Sequence, residues 1–195
     1  MLFIRLYEDE IAQASYLIGC QDTREAVVVD PSRDVGRYLR AAEDERLRIT
    51  HVVETHIHAD FLSGSRELAE RTGASLRMGA GAPVGFDFAP LSEDDVIDVG
   101  NRHIRVIETP GHTPEHVSLL VDDWFVLTGD TLFVGDVGRV DLALEEVLQE
   151  DLAAARPERA LQQVPLRSTA GNDFDQFGRG SVGSPATAWS CALCT

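Results

Sequence analysis

Cysteine, positive charge and long apolar runs are all scarce in this sequence, and each shortage excludes a class of protein. Three cysteines among 195 residues are too few for the disulfide framework of a small secreted domain. A formal net charge of −16 at pH 7 argues against binding to nucleic acid or to an anionic membrane surface, because both need basic patches. No apolar run approaches the roughly 20 residues that a membrane-spanning helix requires.

Both ends of the chain lack familiar signals. The N-terminal segment MLFIRLYEDE has neither the basic region nor the apolar stretch of a signal peptide, so we expect a cytoplasmic protein. Near the other end, Cys191 and Cys194 form a C-x-x-C pair with no second pair and no later histidine. Because a structural zinc ion needs four ligands, we interpret this pair as incidental.

The length suits one compact domain with a sizeable core, and a hydrophobic content of 44% is ordinary for such a domain. After about residue 166 the sequence becomes rich in Ser, Gly, Thr and Ala and shows no sustained periodicity. We therefore predict a folded domain over residues 1–165 and an atypical, weakly ordered tail over 166–195.

Short strands alternate with a few helices along the predicted domain. Apolar periodicity predicts helices at 35–46, 62–71 and 142–155, a loop at 79–90, and strands at 2–6, 15–18, 26–29, 49–54, 74–78, 96–99, 103–107, 116–121 and 124–127. The last four strands form two hairpins, with turns at Gly100–Asn101 and Asp122–Asp123. This mixture favours a layered α/β or α+β fold over a doubly wound parallel sheet.

One segment carries three metal-capable side chains at alternate positions. It reads ETHIHADFLSG, begins at Glu54 after a predicted strand, and ends just before a predicted helix. In extended backbone His56, His58 and Asp60 point to the same side and can converge on one point. Imidazole suits zinc and iron, and a carboxylate adds negative charge. The spacing predicts a metal site rather than a solvated loop with incidental histidines.

Two further polar segments also follow predicted strands. TPGHTP places His112 beyond the strand at 103–107, and its Pro-Gly pair makes a sharp turn. TGDTL places Asp130 directly after the strand at 124–127. Strand ends can meet at one edge of a sheet, where sites are commonly built. His112 and Asp130 therefore complete a predicted ligand set, although the spacing does not separate metal ligands from their neighbours.

The three motifs T-H-x-H-x-D, P-G-H-T and T-G-D-T-L-F, in this order, resemble the metallo-β-lactamase superfamily over about residues 1–142. Within it, THIHADFLSG, GHTPEHVS and GDTLFVGDVGRVD are most similar to the persulfide dioxygenases, especially those fused to rhodanese domains. The resemblance implies an αββα sandwich of two mixed β-sheets flanked by helices. We expect the C-terminal part of that sandwich to be incomplete in this chain.

The resemblance also implies roles for the five predicted site residues. One Fe(II) would be bound by the residues matching His56, His112 and Asp130, a two-histidine–one-carboxylate face that leaves three positions open for O2 and a thiol-type substrate. His58 and Asp60 would then be catalytic residues beside the ion, where they orient ligands or water.

This chain departs from the dinuclear zinc members of the superfamily at two places. Those members have a histidine directly after the motif aspartate, where this chain has Phe61, and they use a late histidine. The six histidines here all lie between residues 51 and 116. Two ligands of a second ion are therefore missing, and we predict a single metal.

Arg139 and two other residues near the motifs have alternative roles. Arg139, in the GRVD segment, either pairs with Asp141 or binds an anionic substrate. For His116 we favour a structural role over one beside the ligands. Asp30 precedes Pro31, and we expect it to cap the turn into the next helix.

The reaction implied by the resemblance is oxidation of glutathione persulfide, or a similar small persulfide, by O2 to sulfite and thiol. The alternatives are a zinc-dependent thioester hydrolase of the glyoxalase II type and a catalytically impaired metal-binding domain with a damaged C-terminus. The resemblance is compatible with a homodimer and with a functional link to a rhodanese, and no residue here predicts a nucleic-acid or membrane partner.

Overall fold

Two facing β-sheets and two helices make up the computed structural model, which describes residues 1–133 and 135–139 and the backbone of 192–194. Both helices pack on the outer side of the first sheet. These are three of the four layers of the predicted αββα sandwich, and the α/β fold class is confirmed. The helix predicted at 142–155 lies outside the described residues.

The first sheet is mixed. It contains, in spatial order, β1 (Leu2–Glu8), β2 (Gln13–Cys20), β3 (Glu25–Val29), β4 (Arg48–Val53), β5 (Ser75–Gly79) and β6 (Ala89–Leu91). The pairs β1–β2 and β2–β3 are antiparallel, and the remaining pairs are parallel. Residues 26–29 of β3 are completely buried, as expected for an apolar, β-branched strand covered on both faces.

The second sheet has the order β13, β10, β9, β8, β7, with β7 (Val96–Val99), β8 (Arg102–Glu108), β9 (Val117–Val121), β10 (Phe125–Leu127) and β13 (Ala192–Cys194). All its described pairs are antiparallel, so the mixed pairing lies in the first sheet. Both predicted hairpins, β7–β8 and β9–β10, are confirmed. A separate short hairpin joins β11 (Leu132–Phe133) and β12 (Asp136–Val137).

Each helix connects two parallel strands of the first sheet. Helix α1 (Gly36–Asp44) lies between β3 and β4, and α2 (Ser65–Thr72) lies between β4 and β5. Tyr38 and Leu68 bury their side chains against the sheet. Helix α2 ends at Gly73, whose left-handed φ of 70° is typical of a helix C-terminus.

Alternation along the strands divides the core into two parts. Tyr16, Ile18 and Val27 point to the space between the sheets, where they meet residues of β7 to β10. Leu17 and Val28 point the other way, toward the helices. This alternation is the period of two that an extended strand imposes. The two sheets therefore share one apolar interior, and their ends come together at one edge.

Three sequence-based boundaries need correction or stay open. The predicted loop at 79–90 ends in strand β6, a short edge strand that tolerates Pro90. The helix predicted from residue 62 begins at Ser65, whose backbone N–H donates a hydrogen bond to the Ser63 hydroxyl at 3.0 Å. The predicted tail lies outside the described residues except for β13, so the boundary at residue 165 stays a prediction.

Candidate metal centre

Three loops meet at one edge of the two sheets. They follow β4, β8 and β10, as the positions of the polar motifs predict. The Val117 backbone N–H donates to the Thr55 carbonyl oxygen at 2.8 Å and ties the second sheet to the loop after β4. The Ile57 backbone N–H donates to the buried Glu115 carboxylate at 2.8 Å, a second link between the same loops.

His56, His112 and Asp130 form a group that could hold a metal ion, which we call the metal cluster. Each offers one ligand atom, and the three atoms lie within 4.8 Å of one another. Asp130 Oδ2 is 3.9 Å from His56 Nε2 and 3.5 Å from His112 Nε2. Both imidazoles are buried, whereas the Asp130 side chain is one-third exposed. The cluster is therefore accessible from the Asp130 side.

The tautomer of His56 is fixed by a chain of hydrogen bonds. The Thr55 hydroxyl donates to Asp30 Oδ2 at 2.9 Å, so its oxygen accepts from His56 Nδ1, also at 2.9 Å. His56 Nδ1 then carries the proton, and Nε2 presents its lone pair to the cluster. Metal-binding histidines are usually oriented in this way through the nitrogen that does not bind the ion.

His112 is oriented by a backbone carbonyl. Its Nδ1 donates to the carbonyl oxygen of Arg139 at 2.7 Å, which leaves Nε2 free to bind an ion. The main chain of Arg139 thus contributes directly to the site, while its exposed side chain keeps the substrate-binding role as a prediction. Asp141, the alternative partner of Arg139, lies outside the described residues.

Burial shifts the pKa values of His56 and Asp130 in opposite directions. Burial lowers the pKa of His56 to about 2, and the neighbouring His58 and His116 act in the same direction. Burial also raises the pKa of Asp130, with Asp30 and Asp60 adding to the increase and His112 opposing it. The Nε2 atoms of two imidazoles and one carboxyl oxygen face each other, and this donor set fits a divalent metal ion.

The structure separates His58 from the metal cluster. Its Nε2 lies 3.0 Å from Glu54 Oε2 and 3.3 Å from Asp30 Oδ1. Burial opposes protonation of His58, but hydrogen bonds to these two carboxylates raise its pKa well above its ordinary value. Asp60 is exposed, and it is not part of the metal cluster, whose ligand atoms lie within 4.8 Å of one another. The catalytic roles of His58 and Asp60 stay predictions.

Asp30 does not cap the following helix as expected. Its carboxylate accepts hydrogen bonds from the backbone N–H and hydroxyl of Thr55, and the first turn of α1 is served by Asp34 instead. Asp30 directly follows β3, and Glu54 directly follows the neighbouring parallel strand β4. Each lies at the end of a strand, as the motif residues do, and this was the sequence signal that could have linked them to the site.

His116 lies directly beside the ligands, against the expectation of a purely structural role. It is buried, its ring stacks on that of His56 with centroids 4.9 Å apart, and its Nε2 accepts from the Asp130 backbone N–H at 3.2 Å. Burial lowers the pKa of His116 to about 3, so the ring is neutral. Its Nδ1 pairs with Thr109 Oγ1 at 2.9 Å.

Two glycines let the backbone approach the site closely. Gly129 has a left-handed φ of 48°, and a Cβ there would lie 2.6 Å from Thr55 Oγ1 and 2.7 Å from His116 Nε2. A Cβ on Gly138 would lie 1.6 Å from the Asp130 carbonyl oxygen and 3.2 Å from His112 Nδ1. Any larger residue would displace one of the loops that hold the ligands.

The amino-acid sequence matches the family model described as the metallo-beta-lactamase superfamily over residues 9–172. The match covers most of the chain and includes the whole metal cluster. The protein therefore belongs to the metallo-beta-lactamase superfamily, as the motifs predicted.

Relatives within the superfamily carry two different activities in their names. Hydroxyacylglutathione hydrolase of Rhodospirillum rubrum is 37% identical over 133 residues, which cover 64% of this chain and 50% of the relative. The mitochondrial persulfide dioxygenase ETHE1 of Bos taurus is 30% identical over 146 residues, which cover 72% of this chain and 56% of the relative. The chain spans about half the length of the curated relatives it matches.

Solved structures agree with both the fold and the resemblance. ETHE1 from Myxococcus xanthus has a TM-score of 0.69 and 37% identity, covering 72% of this chain and 63% of its own. A metallo-beta-lactamase from Staphylococcus aureus subsp. aureus COL has a TM-score of 0.69 and 42% identity, covering 72% of this chain and 46% of its own. Within the described residues, no helix is long and apolar enough to span a membrane.

Proposed function

We propose that this protein is an iron-dependent persulfide dioxygenase that oxidises glutathione persulfide, or a similar small persulfide, with O2. The observation that carries the proposal is the composition of the metal cluster, two histidines and one aspartate with a third histidine held away from them. Three protein ligands on one side of an Fe(II) ion leave its remaining coordination positions open for O2 and the persulfide.

Phe61 supports a single ion. It occupies the position at which dinuclear members of the superfamily carry a metal-binding histidine, and its ring packs on His58 with centroids 4.3 Å apart. At the position of a second ion in the dinuclear members, the motif supplies Asp60 beside Asp130, and Asp60 is exposed. Two carboxylates alone would bind such an ion weakly.

The proposed reaction balances with O2 as the only oxidant. One persulfide, one O2 and one water give one thiol, one sulfite and two protons. The S–S bond breaks, the outer sulfur loses electrons to O2, and the inner sulfur leaves as the thiol. When bound, Fe(II) would supply the open positions at which O2 is activated, while the electrons that reduce O2 come from the outer sulfur.

The residues of this chain would hold the ion and admit the substrate. Thr55 and the Arg139 carbonyl fix both imidazoles in the tautomer that offers Nε2. The partly exposed side of Asp130 is the accessible one, and we propose that the persulfide enters there. Arg139, which is exposed on the loop after β12, would then attract an incoming anionic substrate.

A zinc-dependent thioester hydrolase is the second candidate. The 37% identity to a hydroxyacylglutathione hydrolase favours it. A zinc ion in the same cluster would lower the pKa of a bound water and provide the nucleophile. The two candidates differ in metal, in co-substrate and in product, so one set of assays separates them.

The test measures two reactions on the same protein. Metal-free protein is reconstituted anaerobically with Fe(II) or with Zn(II). Oxygen uptake and sulfite formation are followed with glutathione persulfide, and thiol release is followed with S-lactoylglutathione. His112→Ala removes a ligand, and His103→Ala is the matched control because His103 is an exposed histidine paired with Asp98.

The proposal predicts oxygen uptake and sulfite only with Fe(II), retained in His103→Ala and lost in His112→Ala. Thioester cleavage by the zinc form without oxygen uptake by the iron form would replace the dioxygenase with the hydrolase. A folded, metal-loaded protein that carries out neither reaction would contradict both candidates.

A further inference from the structure

His58 is close enough to the metal cluster to be a fourth ligand, yet it is turned away. Its ring centroid lies 4.2 Å from that of His56. Its Nε2 instead faces Glu54 Oε2 at 3.0 Å and Asp30 Oδ1 at 3.3 Å. Two carboxylates therefore hold this ring in an orientation in which Nε2 points away from the metal cluster.

The two carboxylates that hold His58 are themselves fixed. Glu54 is buried, and its Oε1 accepts a short hydrogen bond from the Ser63 hydroxyl. Asp30 is buried and accepts from the Thr55 backbone N–H at 2.7 Å and from the Thr55 hydroxyl. Neither carboxylate can follow His58 toward the metal cluster without losing these bonds, which are costly to break in a buried site.

Aromatic contacts add to these hydrogen bonds. The centroid of the His58 ring lies 4.2 Å from that of His56 and 4.3 Å from that of Phe61. Turning Nε2 toward the metal cluster would separate it from both Glu54 and Asp30. The orientation is therefore set by Glu54, Asp30 and Phe61 together, which we name the His58 clamp.

We propose that the His58 clamp keeps His58 off the metal ion and thereby limits the centre to the three ligands His56, His112 and Asp130. Glu54 is then a positioning residue that determines the number of open positions on the ion. This inference rests on the proposed function, since a fourth protein ligand would occupy a position that O2 or the persulfide needs.

The same geometry has one competing explanation. Asp30, Glu54 and His58 offer three ligand atoms within 4.8 Å of one another and could themselves bind an ion. His58 Nε2 is already within hydrogen-bond distance of both carboxylates, and each carboxylate has a further donor. These bonds satisfy the group without an ion, and for this reason we assign it to orientation.

The experiment counts the imidazoles bound to Co(II). Metal-free protein is titrated with Co(II), and the proton NMR spectrum is recorded in H2O and in D2O. Each coordinated imidazole whose other nitrogen is protonated gives one strongly shifted, solvent-exchangeable N–H resonance. The samples are the parent, Glu54→Ala, Glu54→Gln, Glu54→Ala with His58→Ala, and Glu67→Ala as the control for loss of a glutamate on α2.

The clamp predicts two shifted N–H resonances in the parent and in Glu67→Ala, corresponding to His56 and His112. In Glu54→Ala it predicts a third resonance, from His58, and in Glu54→Gln the same resonance at full or partial intensity. The third resonance should be absent from the double variant Glu54→Ala with His58→Ala. The single variant His58→Ala should change the Co(II) dissociation constant by less than about ten-fold, whereas His112→Ala should raise it by more than about 100-fold.

Three results would overturn the clamp. They are a third resonance already in the parent, the parent's count in both Glu54 variants, and a second Co(II) in the parent that the Glu54 variants lose. Because no turnover is involved, a protein that fails the oxygen-uptake assay can still confirm the clamp. Equally, an active dioxygenase can contradict it.

Discussion

At the scale of single residues, the proposed metal centre depends on the nitrogen of each histidine that points away from the cluster. His56 Nδ1 is bonded to Thr55, and His112 Nδ1 is bonded to the Arg139 carbonyl. Each bond fixes both the tautomer and the ring orientation. Motif spacing pointed to the five candidate residues and the family resemblance to three of them as ligands. These hydrogen-bond partners could not be predicted, since a threonine next to a histidine has no distinctive sequence signal.

Replacing Thr55 with valine should weaken metal binding while the fold persists. Valine has nearly the shape of threonine but removes the acceptor for His56 Nδ1 and the donor to Asp30. We expect the metal dissociation constant to rise about 10–100-fold, measured by competition with a chromophoric chelator. Thr55→Ser keeps the hydroxyl and should bind almost as tightly as the parent. Equal affinity in Thr55→Val would show that the hydrogen-bond chain has no role.

His116 should make the metal-free protein less stable in acid. Its folded pKa is about 3 because of burial, below the ordinary value of roughly 6.5 in the unfolded chain. Between these values the unfolded chain binds the extra proton, so stability is complete above pH 6.5 and falls as the pH decreases. Each such histidine contributes a slope of about 1.4 kcal/mol per pH unit.

The measurement is urea denaturation of the metal-free parent and of His116→Gln between pH 4 and 8. Gln keeps an acceptor for the Asp130 backbone N–H but has no ring to protonate. Between pH 4 and 6, the unfolding free energy of His116→Gln should change less steeply with pH than that of the parent. The difference in slope should be about 1.4 kcal/mol per pH unit, which corresponds to about one proton. Parallel curves for the two proteins would contradict a buried, neutral His116.

At the scale of secondary-structure elements, the short β11–β12 hairpin positions the site as much as the long strands do. The loop that follows it carries Gly138 and Arg139 across the metal cluster, where Arg139 orients His112. Two-residue strands produce no usable periodicity, so this hairpin was missed in the sequence. The β7–β8 and β9–β10 hairpins were found because their apolar alternation is long enough to recognise.

Replacing Gly138 with alanine should damage the metal centre more than the fold. The new Cβ would collide with the Asp130 carbonyl oxygen and crowd His112 Nδ1, so the hairpin must move and the Arg139–His112 bond must lengthen. We expect at least about ten-fold weaker metal binding, measured by isothermal titration calorimetry. Gly85→Ala is the matched control, because a Cβ at Gly85 meets nothing within 4 Å. Unchanged affinity in Gly138→Ala would contradict this role of the hairpin.

At the scale of the whole molecule, the centre exists because two sheets end at the same edge. β4 supplies His56, while β8 and β10 supply His112 and Asp130, and backbone hydrogen bonds join the two groups of loops. The sequence predicted the layered fold and, from strand ends, five candidate site residues, of which the family resemblance implied these three as ligands. It did not predict the contacts of Asp30 and Glu54, because these depend on the side-by-side pairing of β3 with β4, a tertiary property.

The single metal ion is the central claim of this account, and native mass spectrometry tests it most directly. Protein loaded with excess Fe(II) under anaerobic conditions, and separately with Zn(II), is desalted and weighed intact. We predict the mass of one ion per chain for the parent with either metal and of none for His112→Ala. A parent chain that retains two ions would contradict a three-ligand centre and would favour the dinuclear hydrolases of the superfamily.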